Sequence, residues 1–324
     1  MSRFRRLAVL WAALSLTACA ASLGAPRPYP LAADGWTPAT AELRTVSLGL
    51  PGGAQLAPGV RFAGGLNIIS APTSPLHSLS DLKLTGDGGL VTVSDVGDLV
   101  RADIRLDAAG RLIGLDHFRS RRLTLRDGQP ITDKADGDAE GLALTPSGDL
   151  LISFERRHRI WNYGPLSNLT TRPTPMRSPE FDFAENDGME GLAAGPDGWR
   201  VAGEAGGLWD CTPARCTVIT APPATPIPDS EYRITGIDRD PSGHGWFVVQ
   251  RRYRAPIDAR AWVRRLTPNG DLGPVLIELK LPGTTDNFEG IAAENRHGTT
   301  RIYILSDDNF SPAQRTLMLA FDVR

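Results

Sequence analysis

Short hydrophobic runs alternate with polar turns along this chain, and the turns contain glycine. The clearest unit is Glu140-Gly141-Leu142-Ala143-Leu144, then Pro146-Ser147-Gly148-Asp149, then an apolar run from Leu150 to Glu155. Such a turn is suited to joining two antiparallel strands, because Pro fixes φ, Asp and Ser bond to the local backbone, and Gly accepts positive φ. The pattern therefore predicts a β-hairpin.

This unit occurs five times, with 45 to 60 residues between successive openings. The units open at Ser80, Glu140, Glu190, Thr235 and Glu289, and their second strands end at Asp95, Glu155, Glu204, Gln250 and Asp307. Further apolar runs supply a third strand at 99–104, 159–163, 262–266 and 316–323, and a fourth at 112–118 and 275–279. Repeated units of four antiparallel strands are typical of β-propeller blades.

The two ends of the chain are expected to close the ring. The last unit stops after three strands at Val323, whereas an apolar run from Val60 to Ile69 precedes the first unit and has no hairpin of its own. Pairing the two would complete a blade and cover an exposed strand edge. We predict an all-β protein, a propeller of five four-stranded blades, or six if one copy is too degraded to recognise. The alternative is a β-sandwich of unrelated hairpins.

Residues 1–18 have the three-part layout of a secretory signal, with three arginines, an apolar run and small residues ahead of Cys19. The apolar run is too short to span a membrane. A small-residue site that ends in Cys resembles the lipobox of bacterial lipoproteins, so we predict that Cys19 is lipidated. A plain signal peptide cut nearby and a short anchor are the alternatives. Arg5-Arg6 leaves twin-arginine export open beside the Sec route.

These features predict a signal at 1–18, a lipidated Cys and Pro-rich tether at 19–58, and a propeller domain at 59–324. We expect an exported protein, anchored by lipid on the periplasmic side of the bacterial envelope or released into the periplasm. We expect it to be a monomer that contacts the membrane through its N-terminal lipid only.

Composition narrows the partners. The chain has 324 residues, 34 Gly and 26 Pro, and its 35 basic residues nearly balance 37 acidic ones, so nucleic acid is not expected as a partner. Loss of the signal removes three arginines and no acid, which changes the formal charge from −2 to −5.

Export permits a disulfide between Cys211 and Cys216. Half of a zinc site is the alternative for this pair.

The spacing of the repeated unit is expected to place acidic residues at one end of the predicted propeller. The start of the first strand and the end of the second lie at the same end of a hairpin, and the first strand of each propeller blade lines the axis. All ten unit boundaries are therefore predicted to crowd one mouth of the central channel. Seven of them are carboxylates, namely Asp95, Glu140, Glu155, Glu190, Glu204, Glu289 and Asp307.

Converging carboxylates repel one another unless a positive charge lies between them. One candidate is a divalent cation, with Ca²⁺ the first choice because it takes six to eight oxygen ligands. Its candidate ligands are Glu140, Glu190, Glu204, Asp286, Glu289, Asp307 and Asp308, with Asn186, Asn287 and Asn309 nearby. The other candidate is arginine, since Arg156, Arg157, Arg251, Arg252 and Arg315 follow the same strand ends.

A site with both a cation and guanidinium groups suits a small anionic phosphoester substrate. The candidate catalytic residues are Glu140, Glu155, Glu190, Glu289 and Asp307, and the candidate phosphate-binding residues are Arg156, Arg251, Arg252 and Arg315. His158 is a candidate general acid, because it follows Glu155 by three residues. A structural belt of Glu–Arg pairs between blades is the alternative. The chain has no G-x-S-x-G, P-loop, H-E-x-x-H or dinucleotide-binding motif.

Several stretches resemble the phytase-like ("esterase-like activity of phytase") domains of bacterial exported proteins. The most specific are 286–291, 306–310 and 314–317, with support from 138–142, 154–156, 186–190 and 251–253. The resemblance spans about residues 60 to 323 and implies a propeller-like fold with acidic motif residues that serve a phosphatase or phosphodiesterase type of activity.

Two departures from the family pattern affect the expected cation site. Gln250 stands where the pattern has Glu, and the segment from Pro75 to Leu82 carries His77 and Ser78 in place of a Gly-rich opening. A calcium-dependent lactonase or esterase, and a propeller that binds a ligand or protein without catalysis, remain alternatives to phosphoester hydrolysis.

Overall fold

The computed structural model describes residues 35–195, 197–254 and 258–324, and β-strands dominate it. In chain order the strands are β1 Thr37–Pro38, β2 Glu42–Thr45, β3 Ala54–Leu56, β4 Val60–Ile69, β5 Leu79–Leu84, β6 Gly89–Ser94, β7 Asp98–Leu106, β8 Leu112–Arg122, β9 Ala139–Leu144, β10 Asp149–Phe154, β11 Arg159–Pro165, β12 Thr174–Met176, β13 Gly191–Ala194, β14 Trp199–Ala202, β15 Leu208–Cys211, β16 Cys216–Thr220, β17 Arg233–Arg239, β18 Trp246–Arg254, β19 Asp258–Leu266, β20 Leu272–Leu279, β21 Asn287–Arg296, β22 Thr299–Asp307 and β23 Thr316–Val323. One short helix, α1 Lys134–Gly137, precedes β9. Within these ranges no helix is long and apolar enough to cross a membrane.

The strands form five antiparallel sheets, each of which is one blade of a β-propeller. Blade 1 contains β5–β8 and β1, blade 2 β9–β12, blade 3 β13–β16, blade 4 β17–β20 and β3, and blade 5 β21–β23, β4 and β2. The innermost strands β5, β9, β13, β17 and β21 contact one another in a closed cycle. The predicted five-bladed propeller is confirmed, and the β-sandwich and six-bladed alternatives are wrong.

The ring closes between the two ends of the described chain. β4 pairs antiparallel with β23, and Val60 lies opposite Val323. The strand β4 has the predicted bounds, Val60–Ile69. Its pairing satisfies the backbone N–H and C=O groups that β23 would otherwise expose at its edge. Blade 5 therefore combines two N-terminal strands, β2 and β4, with three C-terminal strands.

Five hydrophobic clusters hold the blades together, one at each junction between neighbouring blades. Each inner strand contributes a fully buried aliphatic residue two positions after the residue that opens its repeated unit. These buried residues are Leu82, Leu142, Leu192, Ile237 and Ile291. Burial of apolar surface on both faces of every sheet supplies the main stabilisation of the ring.

The segment expected to be a tether, 19–58, contributes three edge strands in its described part. β1 pairs with β8, β2 with β4, and β3 with β20, so the folded body begins ahead of residue 59. The expected signal at 1–18 and the lipidated Cys19 lie outside the described residues.

Cys211 and Cys216 form a disulfide across the β15–β16 hairpin. The two cysteines are therefore joined to each other, as one of the two sequence interpretations expected, and are not half of a zinc site.

Candidate functional site

In four blades a β-bulge lies at the residue that opens the repeated unit. In β5, β9, β17 and β21 the pairing register skips one residue, and the skipped residues are Ser80, Glu140, Thr235 and Glu289. In blade 3, Glu190 directly precedes β13. A bulged residue leaves the normal alternation of a strand and can turn its side chain towards a site. The repeat thus sets one residue of each blade at the same end of the channel.

Glycine follows this position in four blades because the inner strands approach closely there. A Cβ on Gly236 would lie 2.1 Å from the carbonyl oxygen of Glu289, and one on Gly141 would lie 2.7 Å from that of Glu190. The Glu-Gly pairs of the sequence therefore combine a polar group at the mouth with backbone contact between neighbouring blades.

Blade 1 has Asp81 in place of this glycine, and its carboxylate bonds to the neighbouring inner strands. It accepts hydrogen bonds from the backbone N–H of Leu142 at 2.9 Å and of Ile291 at 3.4 Å, and Lys83 Nζ lies 2.6 Å away. Burial raises the pKa of Asp81 to about 7, and the ion pair with Lys83 opposes that shift. Asp81 therefore links blades 1, 2 and 5 below the ring of acids.

Arginines neutralise one side of the mouth. Arg251 of β18 lies 2.6 Å from Glu204 and 2.8 Å from Glu289, and so joins blades 3, 4 and 5. Arg233 lies 2.7 Å from the other oxygen of Glu204 and also pairs with Asp187 and Asp229. On this side of the mouth the contacts are those of the alternative prediction, a structural belt of Glu–Arg pairs between blades.

Three carboxylates converge on the opposite side, at the mouth end of blade 2. Asp138, Glu140 and Glu155 are buried, and one oxygen of each lies within 4.8 Å of the others. Asp138 pairs with Lys134 Nζ at 2.8 Å and with Arg156 Nε at 2.5 Å. Glu155 accepts a hydrogen bond from Gly188 N–H at 2.8 Å. In the described chain no cationic side chain pairs with Glu140.

Other acids of the mouth lie in blades 1 and 5. Asp95 pairs with Lys134 Nζ at 2.7 Å. Asp307 accepts a hydrogen bond from Asn309 N–H at 2.6 Å. Asp308 accepts hydrogen bonds from His77 at 2.6 Å and from Ser78 N–H at 2.9 Å.

Burial, together with repulsion between carboxylates, raises the pKa of the mouth acids. Burial raises the pKa of Glu155 to about 8 and that of Glu289 to about 7, the latter despite Arg251. Burial raises the pKa of Glu140, Glu190 and Asp307 well above the usual range, and neighbouring carboxylates add to each shift. Burial also raises the pKa of Glu204, although Arg251 and Arg233 oppose it. A bound cation would displace these protons.

Three other predicted residues form ion pairs that involve none of the seven ring carboxylates. Arg252 pairs with Asp258 at 3.0 Å, because successive residues of a strand face opposite sides. Arg315 pairs with Asp286 at 3.2 Å, which removes both from the acidic ring.

Arg157 and His158 bind partners other than the ring carboxylates. Arg157 pairs with Asp136 at 2.5 Å. His158 Nε2 lies 2.9 Å from the carbonyl oxygen of Ala184, and its ring packs against Phe183. The His158 ring nevertheless lies close to Glu155, because a Cβ on Gly188 would be 3.2 Å from His158 Cε1 and 3.2 Å from Glu155 Oε1.

Sequence reasoning missed Asp138, Lys134 and Arg233, which lie outside the repeated boundary positions. The available signal for Asp138 was its place two residues before Glu140, matched by Asn287 two residues before Glu289. Lys134 could not be placed because it belongs to α1, which occurs between units. Arg233 opens β17 and reaches the mouth two residues ahead of the bulge.

The mouth therefore offers hard oxygen donors beside a guanidinium group. Glu140, Glu155 and Asp138 present carboxylate oxygens of the kind that Ca²⁺ prefers. Arg156, with 28% of its side chain exposed and a left-handed backbone at φ 55°, borders the same cluster. This arrangement can bind a divalent cation and an anionic oxygen side by side.

Several solved structures are similar to this chain at low sequence identity. A protein provisionally described as a gluconolactonase is 15% identical, with coverage of 89% of this chain and 95% of that chain and a TM-score of 0.45. Virginiamycin B lyase from Staphylococcus aureus is 14% identical, with coverages of 83% and 87% and a TM-score of 0.39. The aldose sugar dehydrogenase of Streptomyces coelicolor is 14% identical, with coverages of 89% and 99% and a TM-score of 0.39.

No curated protein matches the chain at a significant level. One family model, described as esterase-like activity of phytase, matches residues 74–310, which include the innermost strand of every blade and all seven ring carboxylates. The chain therefore belongs to the phytase-like family.

Proposed function

We propose that the protein is a hydrolase of phosphoesters that uses a divalent cation, Ca²⁺ by first choice, at the mouth of the propeller. The observation that carries the proposal is the convergence of Asp138, Glu140 and Glu155, all buried, with one oxygen of each within 4.8 Å of the others. Membership of the phytase-like family supports the reaction class.

The residues at the mouth fit such a cation. Glu140 is 8% exposed, and neither a guanidinium nor an ammonium group pairs with it in the described chain, so its negative charge needs a counter-ion or a proton. Asp138 and Glu155 are each fixed by hydrogen bonds, which orients their oxygens. When bound, the cation would polarise a phosphoryl oxygen and lower the pKa of a coordinated water.

The protein's own groups would supply binding and proton transfer. Arg156 is held by Asp138 and is partly exposed, so its guanidinium can orient a phosphate oxygen. Glu190 is buried among other acids, and burial and the neighbouring carboxylates raise its pKa, which favours the protonated carboxyl. That proton can pass to the leaving oxygen in general acid catalysis. Arg251 would keep Glu204 and Glu289 in place without contacting substrate.

The proposed location is the bacterial envelope, with the chain exported and tethered through Cys19. The signal-like composition of 1–18 supports this location, as does the Cys211–Cys216 disulfide, because disulfides persist outside the cytoplasm. We further propose that the protein acts as a monomer on a small anionic substrate.

The test is phosphate release by the purified protein from a panel of phosphomonoesters and phosphodiesters. We expect turnover with Ca²⁺, its loss after chelation, and at least about a hundredfold loss in Glu140→Gln. Asp116→Asn, which removes an exposed acid of β8, is the matched control and should retain the full rate.

The same panel separates the alternatives. Unchanged turnover in Glu140→Gln would contradict the assignment. Hydrolysis of lactones or carboxyl esters without phosphoester turnover would favour the esterase alternative, and saturable binding without any turnover would favour a binding module.

A further inference from the structure

Three side chains between blades 5 and 1 form a continuous hydrogen-bonded chain. Ser70 Oγ lies 3.0 Å from His77 Nε2, and His77 Nδ1 lies 2.6 Å from Asp308 Oδ2. A serine and a carboxylate on the two opposite nitrogens of one imidazole have the connectivity of a nucleophilic triad. Such a triad is recognised by its geometry and does not require a G-x-S-x-G motif, which this chain lacks.

The fold brings these three residues together from separate elements. Ser70 directly follows β4, His77 lies in the connection from β4 to β5, and Asp308 directly follows β22. Strands β4 and β22 both pair with β23 in blade 5, and β5 contacts β22. His77 belongs to the segment that departs from the phytase-like pattern, so that pattern does not account for this constellation.

The Asp308 carboxylate is held in one orientation by its other contacts. Oδ1 accepts hydrogen bonds from the backbone N–H of Ser78 at 2.9 Å and of Phe310 at 3.2 Å, and Oδ2 accepts one from Thr316 Oγ1 at 3.1 Å. A carboxylate fixed beside Nδ1 orients the imidazole and keeps a proton on that nitrogen. The other nitrogen, Nε2, is then an acceptor for the Ser70 hydroxyl.

The site is partly open to solvent. The side chain of His77 is 15% exposed, Ser70 is half-buried, and the two residues that follow it, Ala71 and Pro72, are exposed. The carbonyl oxygen of Ala71 also lies 3.0 Å from His77 Nε2. It can accept a hydrogen bond from the imidazolium that forms when Ser70 gives up its proton, so the base has a partner in both protonation states.

The backbone beside the site adopts conformations that residues other than glycine rarely take. Ser78, Asn309 and Phe310 have φ values of 49°, 47° and 51°. The Phe310 ring packs against the imidazole of His77, with 5.1 Å between the ring centroids. Strained backbone of this kind is concentrated at functional sites, where the surrounding structure maintains it.

We propose that Ser70, His77 and Asp308 form a second hydrolytic site, which cleaves small carboxylic esters by acyl transfer and needs no cation. Ser70 Oγ attacks the ester carbonyl carbon, and its proton passes to His77 Nε2. The bond from that carbon to the alcohol oxygen breaks, and the alcohol leaves with the proton. Water then attacks the acyl-serine, which releases the carboxylic acid and restores the hydroxyl. Asp308 is a positioning residue, because it acts through His77.

The experiment treats the purified protein, in chelator, with an alkyl fluorophosphonate. This probe forms a bond from phosphorus to an activated serine oxygen and loses fluoride. We expect a single label, which mass spectrometry of the wild type should place on Ser70. No label, or a label only on other residues, would overturn the proposal whether or not any variant folds.

Hydrolysis of p-nitrophenyl acetate in chelator gives the second readout. Ser70→Ala should lower turnover by at least about a hundredfold at a melting temperature close to that of the wild type. Ser74→Ala, in the same connection, is the matched control and should keep the full rate. Asp308→Asn should lower kcat at an unchanged KM, because the tautomer of His77 is no longer fixed.

The same variants separate this site from a structural lock and from the mouth. A lock predicts a lower melting temperature and unchanged turnover in Ser70→Ala, and that result would overturn the proposal. Glu140→Gln should keep both the label and the ester turnover, because Asp138, Glu140 and Glu155 lie outside the triad. Failure of the proposed phosphoester reaction would therefore leave this inference standing, and the converse also holds.

Discussion

Arg251 joins three blades at the mouth, so removal of its charge tests the electrostatic account of the ring. Its guanidinium lies 2.6 Å from Glu204 and 2.8 Å from Glu289, and it also donates to Asn287. Arg251→Met keeps most of the apolar stem and removes the charge. Glu204 would retain Arg233 at 2.7 Å, whereas Glu289 would lose its cationic partner.

The expected loss of stability is large because Glu289, which would lose its cationic partner, is buried. Breaking a buried ion pair from one side costs about 3–5 kcal/mol. The pKa of Glu289 is already about 7, so uptake of a proton at neutral pH should hold the loss near the lower end. For a chain of this size each kcal/mol lowers the melting temperature by about 1.5 °C, so a loss of about 3 kcal/mol gives a decrease of about 4–5 °C.

The assay is thermal unfolding in chelator at pH 6 and pH 9. The loss should be larger at pH 9, where Glu289 cannot stay protonated without cost, and Arg251→Met/Glu289→Gln should recover part of it. Arg44→Met, which removes an exposed arginine, is the matched control. A melting temperature of Arg251→Met equal to that of the wild type at both pH values would refute the reasoning.

Three further predictions concern packing, protons and closure. Gly236→Ala should destabilise the fold by about 1–3 kcal/mol in urea unfolding, because its Cβ would lie 2.1 Å from the carbonyl oxygen of Glu289; Gly35→Ala, with open space around it, should not. In chelator the melting temperature should fall as pH rises from about 4.5 to 8, because the raised pKa values, about 8 for Glu155, make the folded state bind more protons than the unfolded state. A rise over that interval would contradict this assignment. Deletion of residues 1–69 removes β4 and should give aggregates in size-exclusion chromatography, since β23 is left unpaired.

The blade architecture could be predicted because each blade repeats the same local chemistry. The Pro-x-Gly turns fix the hairpins, and the apolar run Val60–Ile69 has no partner in its own neighbourhood, so its pairing with Thr316–Val323 follows from closure. The bulges at Glu140 and Glu289 were not predicted as such, but the Glu-Gly pairs are their sequence signature.

The sequence could not predict which ring carboxylates are paired with a cationic side chain and which are not. The pairing depends on which arginines and lysines reach each carboxylate from a neighbouring blade. Arg233 and Lys134 come from a strand opening and a helix outside the repeat, and their partners are distant in sequence. Arg252 could have been set aside, since adjacent strand residues cannot both face the mouth. The edge strands of 37–56 are short and polar, so their pattern gives little signal.

The most direct test of the central claim, that unpaired carboxylates at the mouth bind a divalent cation, is the melting temperature of the wild type and of Glu140→Gln in chelator and in millimolar Ca²⁺. Calcium at a hundred times its dissociation constant stabilises the folded state by about 2.7 kcal/mol, which raises the melting temperature by about 4 °C for a chain of this size. We predict that rise in the wild type and its loss in Glu140→Gln, with the variant the more stable protein in chelator because a repelled buried carboxylate is gone. Equal shifts in both proteins, or no shift in the wild type, would contradict the claim.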